Sequence, residues 1–189
     1  MGLHLSNFMN RKLKLWELNR PTVEEFKNNT KFPLVIILDN IRSLANVGTF
    51  FRTADAFNVS KIILGGITAQ PPHREIQKTA LGATESIDWE YQETVIDRIK
   101  ELKKDGYRIY AIEQAENTTL LNEVKITNEE RRVLIFGNEV DGVQQEIIDI
   151  ADVVLEIPQF GTKHSLNVSV CAGVVLWEFV RKMALGFRQ

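Results

Sequence analysis

Cysteine is almost missing from this chain. Cys171 stands alone, so there is no disulfide framework and no thiolate set for a metal. Its place in an apolar run makes it a small buried hydrophobe rather than a nucleophile. Histidine is scarce as well: His4, His73 and His164 show no metal-ligand spacing, and no metal is expected. Long apolar runs are lacking too. Pro33 to Leu38 is short, and Val168 to Val180 is broken by Ser169 and Glu178, so no membrane partner is expected. Leu3 to Phe8 contains His4, Ser6 and Asn7, unlike the core of a secretory signal, and the expected location is the cytoplasm. An excess of positive charge is also absent. A formal net charge of −2 excludes a protein that grips nucleic acid through bulk charge, though not one with local basic patches. There is no internal repeat and no low-complexity tract.

What is present is ordinary for one globular domain. The chain has 189 residues, 44% hydrophobic and 25% charged, which allows a full core with a short appendage. Residues 1–31 read as a helical, locally basic arm. Leu5, Phe8, Met9, Leu13 and Trp16 predict an amphipathic helix near 4 to 18, Pro21 ends it, and Thr22 to Glu25 form a capping-box pattern. Arg11, Lys12, Lys14, Arg20, Lys27 and Lys31 outnumber Glu17, Glu24 and Glu25 there.

From residue 32 to 189 apolar runs alternate with amphipathic helices. Strands are predicted at Leu34 to Leu38, Lys61 to Leu64, Ser86 to Tyr91, Tyr107 to Ile112, Arg132 to Phe136 and Val153 to Ile157. Helices are predicted at Asn46 to Phe57, around Glu75 to Leu81, at Thr94 to Lys104, Gln144 to Ile150 and Ser165 to Met183. Continuous Val/Ile/Leu strands alternating with helices imply an α/β fold, with a mostly parallel sheet covered by helices on both faces. The closing helix is apolar almost all round in its first turns, from Val168 to Trp177, which points to burial by the core and by a second subunit, hence a homodimer.

Strand-to-helix junctions carry the chemistry. In Asn46-Val-Gly-Thr-Phe-Phe-Arg-Thr53, Val47, Phe50, Ala54 and Phe57 take the core face, leaving Gly48 and Arg52 as an i, i+4 pair. Helical side chains lean toward the N-terminus, so Arg52 is expected to reach over a vacant spot at Gly48, near Asn46, suited to a phosphate or ribose. In Gly137-Asn-Glu-Val-Asp-Gly142, glycines flank Glu139 and allow close backbone approach to a ligand. The stretch is neither a P-loop nor a dinucleotide fingerprint. In Ile157-Pro-Gln-Phe-Gly-Thr-Lys-His-Ser-Leu-Asn-Val-Ser169, a strand stops at a proline and small polar residues precede an apolar helix. Ser165, Asn167 and Ser169 can cap the unpaired amides at its entrance. In an open α/β sheet such junctions lie along one ligand-binding edge.

Together these segments resemble the signature motifs of the TrmH/SpoU family of RNA 2′-O-ribose methyltransferases, within the SPOUT (α/β-knot) superfamily, over about residues 32 to 184. Lys78 to Ala83 also looks like the family's loop after the second strand. The resemblance implies a deep C-terminal trefoil knot, which general topology rules would disfavour. It implies S-adenosylmethionine bound by the knot around Gly137, Ile157 and Leu166, with Ile112 to Gln114 nearby, and a homodimer with its active site at the subunit boundary. It also implies catalytic roles for Asn46, Arg52, Glu139, Ser165 and Asn167.

In that chemistry Asn46 orients the sugar or phosphate, Ser165 and Asn167 shape the pocket, and Glu139 holds Arg52 or Asn46 or acts as a counter-charge. Arg52 is assigned to the nascent alkoxide and the adjacent phosphate rather than to proton abstraction, because a guanidinium does not readily release its proton. Gln159, Phe160, Lys163 and His164 occupy variable positions. His164 reads as an exposed loop histidine, with RNA contact or proton removal as the alternative. The expected substrate is tRNA, with a D-loop guanosine favoured. Ribosomal RNA, a tRNA wobble position and a catalytically inactive RNA-binding protein are the alternatives.

Overall fold

β-Strands whose neighbouring side chains are all apolar bury both faces at once, and this chain does so in its central strands. The computed structural model describes residues 10–127 and 130–186. Its strands are β1 (Phe32–Asp39), β2 (Val59–Gly65), β3 (Trp89–Gln92), β4 (Tyr107–Ile112), β5 (Thr119–Leu120), β6 (Arg131–Phe136) and β7 (Val153–Glu156). They form one sheet in the order β3-β2-β1-β6-β4-β7-β5, and every strand pair in it is parallel. The helices are α1 (Val23–Asn28), α2 (Leu44–Ala56), α3 (Arg74–Ala80), α4 (Ala83–Ser86), α5 (Val95–Lys104), α6 (Gln145–Ile150) and α7 (Val168–Gly186).

Alternate strand residues feed two cores. Leu34, Ile36, Leu38, Ile62, Leu64, Leu134 and Phe136 pack with Val47, Phe50, Phe51 and Ala54 of α2 and with Ala172, Val175, Leu176 and Phe179 of α7. Val35, Ile37, Ile63, Ile109, Val133 and Ile135 point the other way, against Val95, Ile99 and Leu102 of α5 and Ile147 of α6. This is the α/β fold with helices on both faces that continuous apolar strands predict. β7 follows β6 in the chain yet lies between β4 and the two-residue β5, which carries the last stretch before α7 into the middle of that edge.

Several boundaries differ from the expectation. Residues 10–18 are not α-helical: they hold a single 3-10 turn at Leu15–Glu17, and residues 4–9 lie outside the described part. Leu15 and Trp16 are 84% and 74% exposed, so the apolar stripe has no surface to bury, and an unpacked helix of this length is marginal in water. The capping box at Thr22 does form, with Thr22 N–H donating to Glu25 Oε2 at 2.7 Å and Glu25 N–H to Thr22 Oγ1 at 3.2 Å. Phe26 of α1 joins the main core, so the second half of the arm is part of the folded body. Ser86 is the last residue of α4 rather than the start of a strand, and β3 begins only at Trp89. α7 begins at Val168 rather than Ser165. Among the described residues, no helix is long and apolar enough to cross a membrane.

Gly48 marks the tightest helix contact. A Cβ there would lie 2.1 Å from Thr79 Oγ1 and 2.3 Å from the Ile76 carbonyl oxygen, so the missing side chain lets α2 and α3 touch backbone to backbone. We expect Gly48→Ala to lower stability by about 1 kcal/mol net. Overpacking costs about 1–3 kcal/mol, and contact with the Ile76 backbone puts it above the roughly 1 kcal/mol that alanine gains in a helix. A urea midpoint equal to or above that of the wild type would contradict this.

Candidate active site

Asn46 is where the distant segments meet. It sits in the first turn of α2 and is only 9% exposed. Its Nδ2 donates to Glu139 Oε1 at 3.0 Å, and its Oδ1 accepts from Asn167 Nδ2 at 3.2 Å and from Ser169 Oγ at 3.3 Å. A carboxylate on one side and two donors on the other fix which way the amide faces. Residues separated by more than ninety positions in the chain are thereby joined into one polar network.

Glu139 closes the N-terminus of α2. Its carboxylate accepts from the backbone N–H groups of Arg42 and Ser43, both at 3.0 Å, besides Asn46. An anion is favourable there, because the first amides of a helix have no partner within it and the helix dipole is positive at that end. The expected phosphate position at the helix entrance is therefore filled by the protein's own carboxylate. Burial pushes the Glu139 carboxyl up, but the donors from Arg42, Asn46 and Ser43 together hold it below its ordinary value. The unfolded chain then takes up the proton at higher pH than the folded one. The stabilisation is full above the ordinary carboxylate value and is lost as pH falls through the folded one. The stability gap between wild type and Glu139→Gln should narrow as pH drops from about 6 to about 3, read by urea titration at each pH. A gap constant with pH would contradict this.

The third segment supplies the cap of α7. Asn167 Oδ1 accepts from Ser169 N–H at 2.9 Å and Val170 N–H at 3.3 Å, so asparagine caps this helix. Ser165 is exposed, lies before the helix and lines the cleft.

That cleft, of about 340 Å³, opens at the C-terminal ends of β4, β6 and β7. Leu155, Ile157, Leu166 and Cys171 give it apolar walls, and Glu113, Gln114, Asn138 and Glu139 give it polar ones. The volume lies within the range of small-ligand pockets. Gly137 is buried at its floor: a Cβ there would lie 2.1 Å from both the Gly142 carbonyl carbon and Val143 N. The Gly137–Gly142 turn can fold back so closely only without a side chain. Burial raises the Cys171 thiol to about 12, which leaves it an uncharged wall.

The site also contains side chains to which the sequence reading gave no individual role, although Glu113 lies in the Ile112 to Gln114 stretch and Asn138 in the Gly137 to Gly142 motif. Glu113 Oε2 accepts from Val143 N–H at 2.9 Å, tying β4 to the glycine turn. Asn138 Nδ2 donates to the Asn40 carbonyl at 2.7 Å, and its Oδ1 accepts from Val140 N–H at 2.8 Å. Asp39, 1% exposed, accepts from Gln144 Nε2 at 2.6 Å. Of these, only Asp39 has no sequence signal beyond position: it closes β1 at the same sheet edge.

Arg52 is not brought into this network. It is exposed on α2, about 9 Å along the helix axis from Asn46, and is not among the residues lining the cleft. Among the described residues it makes no hydrogen bond or ion pair, and Glu139 holds Asn46 rather than Arg52. The vacant spot expected at Gly48 is filled by α3. No group of three or more His, Cys, Asp or Glu side chains among the described residues is placed to share a metal.

A parallel α/β sheet with polar segments converging on a cleft at its carboxyl edge is the arrangement in which open α/β proteins bind small ligands at strand ends. Residues 33–177 match the model of the SpoU rRNA Methylase family; the chain belongs to this family. It is 33% identical over 155 residues to a tRNA (guanosine(18)-2′-O)-methyltransferase of Aquifex aeolicus, across 79% of this chain and 69% of that protein. It is 31% identical over 159 residues to a 23S rRNA (guanosine-2′-O-)-methyltransferase of Neisseria meningitidis, across 84% of this chain and 62% of that one. The A. aeolicus TrmH/SpoU tRNA modifying enzyme superposes with a TM-score of 0.77 at 28% identity, covering 86% of this chain and 81% of that one. An AdoMet-bound rRNA methyltransferase from Sinorhizobium meliloti gives 0.74 at 28% identity, covering 82% and 59%.

Proposed function

We propose that this chain is an S-adenosylmethionine-dependent RNA 2′-O-ribose methyltransferase whose substrate is tRNA, at a D-loop guanosine. The observation that carries the reading is the Asn46 amide, bonded to Glu139 on one side and to Asn167 and Ser169 on the other, beside a cleft with apolar and polar walls. Relatives named for tRNA and for 23S rRNA both carry guanosine in their names, which supports the base more strongly than the RNA. The tRNA relative is matched over more of its own length, and ribosomal RNA is the second reading.

The cleft residues suit the cofactor. Ile157, Leu166 and Leu155 offer an apolar slot for an adenine ring, and the buried Gly137 lets backbone come close. When bound, S-adenosylmethionine supplies an activated methyl group on a sulfonium. Asn46 is fixed before substrate arrives, so its orientation costs nothing at the moment of reaction. Ser165 and Asn167, at the mouth beside it, hold the ribose so that its 2′ oxygen faces the cleft. The hydroxyl's proton passes to solvent or to a neighbouring polar group as the new C–O bond forms, and the methyl–sulfur bond that breaks would leave the bound sulfonium as a neutral thioether.

Arg52 reaches a cleft only across a subunit boundary in this reading, where its guanidinium stabilises the developing oxyanion and the adjacent phosphate. Support comes from α7, whose Val170, Val174 and Trp177 are 55%, 39% and 59% exposed at spacings that form one stripe. Sedimentation should find a dimer that Trp177→Glu dissociates; a monomeric wild type would remove the composite site. α7 is read as threaded through a trefoil knot, supported by β7 lying between β4 and β5, and the working compartment as the cytoplasm. Residues 32–189 form the methyltransferase unit in this reading, with the preceding segment an appendage.

The test is methyl transfer from radiolabelled S-adenosylmethionine to bulk tRNA and bulk rRNA, followed by mass spectrometry of the nucleosides. 2′-O-Methylguanosine in the tRNA fraction is the expected product. Cofactor binding without transfer to either RNA would favour the inactive RNA-binding alternative.

A further inference from the structure

Phe160 is 97% exposed, the most solvated of the large hydrophobic side chains among the described residues. Its neighbour Gln159 lines the cleft, as does Ser165 further along the same loop, so Phe160 belongs to a segment that runs between two cleft-lining residues. Val140, from the glycine turn, also lines the cleft and is 72% exposed. The loop is anchored where Gln114 Nε2 donates to the His164 carbonyl at 2.9 Å. Among the described residues no hydrogen bond reaches 158–163, and Lys163 has no ion-pair partner. The loop thus exposes a free phenyl ring and an uncompensated cation between two cleft-lining residues, and the glycine turn adds an exposed apolar side chain at the cleft itself.

We propose that Phe160 is the stacking platform for the base of the nucleotide being methylated. The proposal rests on the methyltransferase reading and deepens it. A ribose held in a stacked RNA helix cannot enter a recessed cleft unless its nucleotide leaves the stack, and leaving costs stacking energy. An exposed aromatic ring at the entrance replaces that lost contact. Every base has a π-face, so such a platform tolerates any base and works together with a nearby cation that attracts phosphate. An exposed phenyl ring with no internal partner is explained by this occupant. Guanosine selection then falls to other polar groups of the mouth.

The experiment compares the full chain with Phe160→Ala, Phe160→Leu and Phe160→Trp, measuring methyl transfer to bulk tRNA and calorimetric binding of S-adenosylmethionine. Removing one base–aromatic stack is expected to lower kcat/KM for RNA by roughly tenfold or more, with cofactor affinity unchanged within about twofold. Tryptophan should keep most of the activity and leucine should not, because leucine preserves apolarity and loses the ring face. Equal rates for wild type and Phe160→Ala, or equal rates for leucine and tryptophan, would overturn the platform and leave the methyltransferase reading intact. A wild-type chain that transfers methyl to no RNA overturns both. If Phe160→Ala turns a dimer into monomers, the ring belongs to a subunit contact and the proposal is wrong.

Discussion

Asn46→Ala should slow methyl transfer by about 10²- to 10³-fold, comparable to the loss of a single positioned polar group in a preorganised site. Among the described residues, the substitution removes the one group that bonds to Glu139, Asn167 and Ser169 at once. Glu139 loses one of its donors, and the donors of Asn167 and Ser169 lose an acceptor in a part-buried place, costing about 1–3 kcal/mol of stability. Asn46→Asp is the sharper variant. It keeps the size, yet sets a second carboxylate where the amide nitrogen now lies 3.0 Å from Glu139 Oε1, and like charges so placed repel. Its stability deficit should shrink as pH falls and one of the two carboxylates takes a proton. Kinetics at saturating cofactor and denaturant titration at two pH values check both statements; an Asn46→Ala enzyme within threefold of the wild type would contradict the first.

Gly137→Ala should abolish measurable S-adenosylmethionine binding, raising Kd by about 100-fold or more, equivalent to about 2.7 kcal/mol. The added methyl would sit 2.1 Å from backbone atoms of Gly142 and Val143, and backbone cannot rotate aside as a flexible side chain can. The turn must open, and the Asn138–Gly142 bridge with it, where Asn138 N–H donates to the Gly142 carbonyl at 2.9 Å. A matched control is Gly161→Ala, whose new methyl would meet nothing within 4 Å and should leave cofactor affinity unchanged. Calorimetry on both variants decides the matter. Near-wild-type affinity in Gly137→Ala would mean that the turn is not the cofactor's floor.

Most of the fold was legible because its strands are buried on both faces. A run such as Leu34 to Leu38 admits little besides a central parallel strand, and it forms the middle of β1. Elements without a buried face were not legible. The two-residue β5 carries no periodicity, and the stripe from Leu13 to Trp16 looked helical only because periodicity cannot tell whether anything covers it. Gly48 is instructive in the same way. Its pairing with Arg52 suggested open space, whereas the absent side chain serves the approach of α3.

The site was legible as segments but not as bonds. Three stretches pointed to one sheet edge, and the structure joins them through Asn46. Which partner Glu139 takes depends on where α2 begins relative to β6, and that is set by tertiary register rather than by local pattern. The same holds for Glu113 on Val143 and Asn138 on Asn40: these side chains bond to distant backbone, which no sequence spacing encodes. Local pattern offers Ser165, Asn167 and Ser169 alike as caps of the last helix, and only the point where α7 begins decides that Asn167 binds the amides of its first turn.

The convergence of these segments on one reacting ribose is tested most directly by a double-mutant cycle on kcat/KM for tRNA methylation, using Asn46→Ala, Asn167→Ala and the double variant. Residues acting as one unit are non-additive, so the double variant should be no slower than the slower single one within about threefold. Effects that multiply would mean that the two asparagines work separately and that the shared network is not what the chemistry uses.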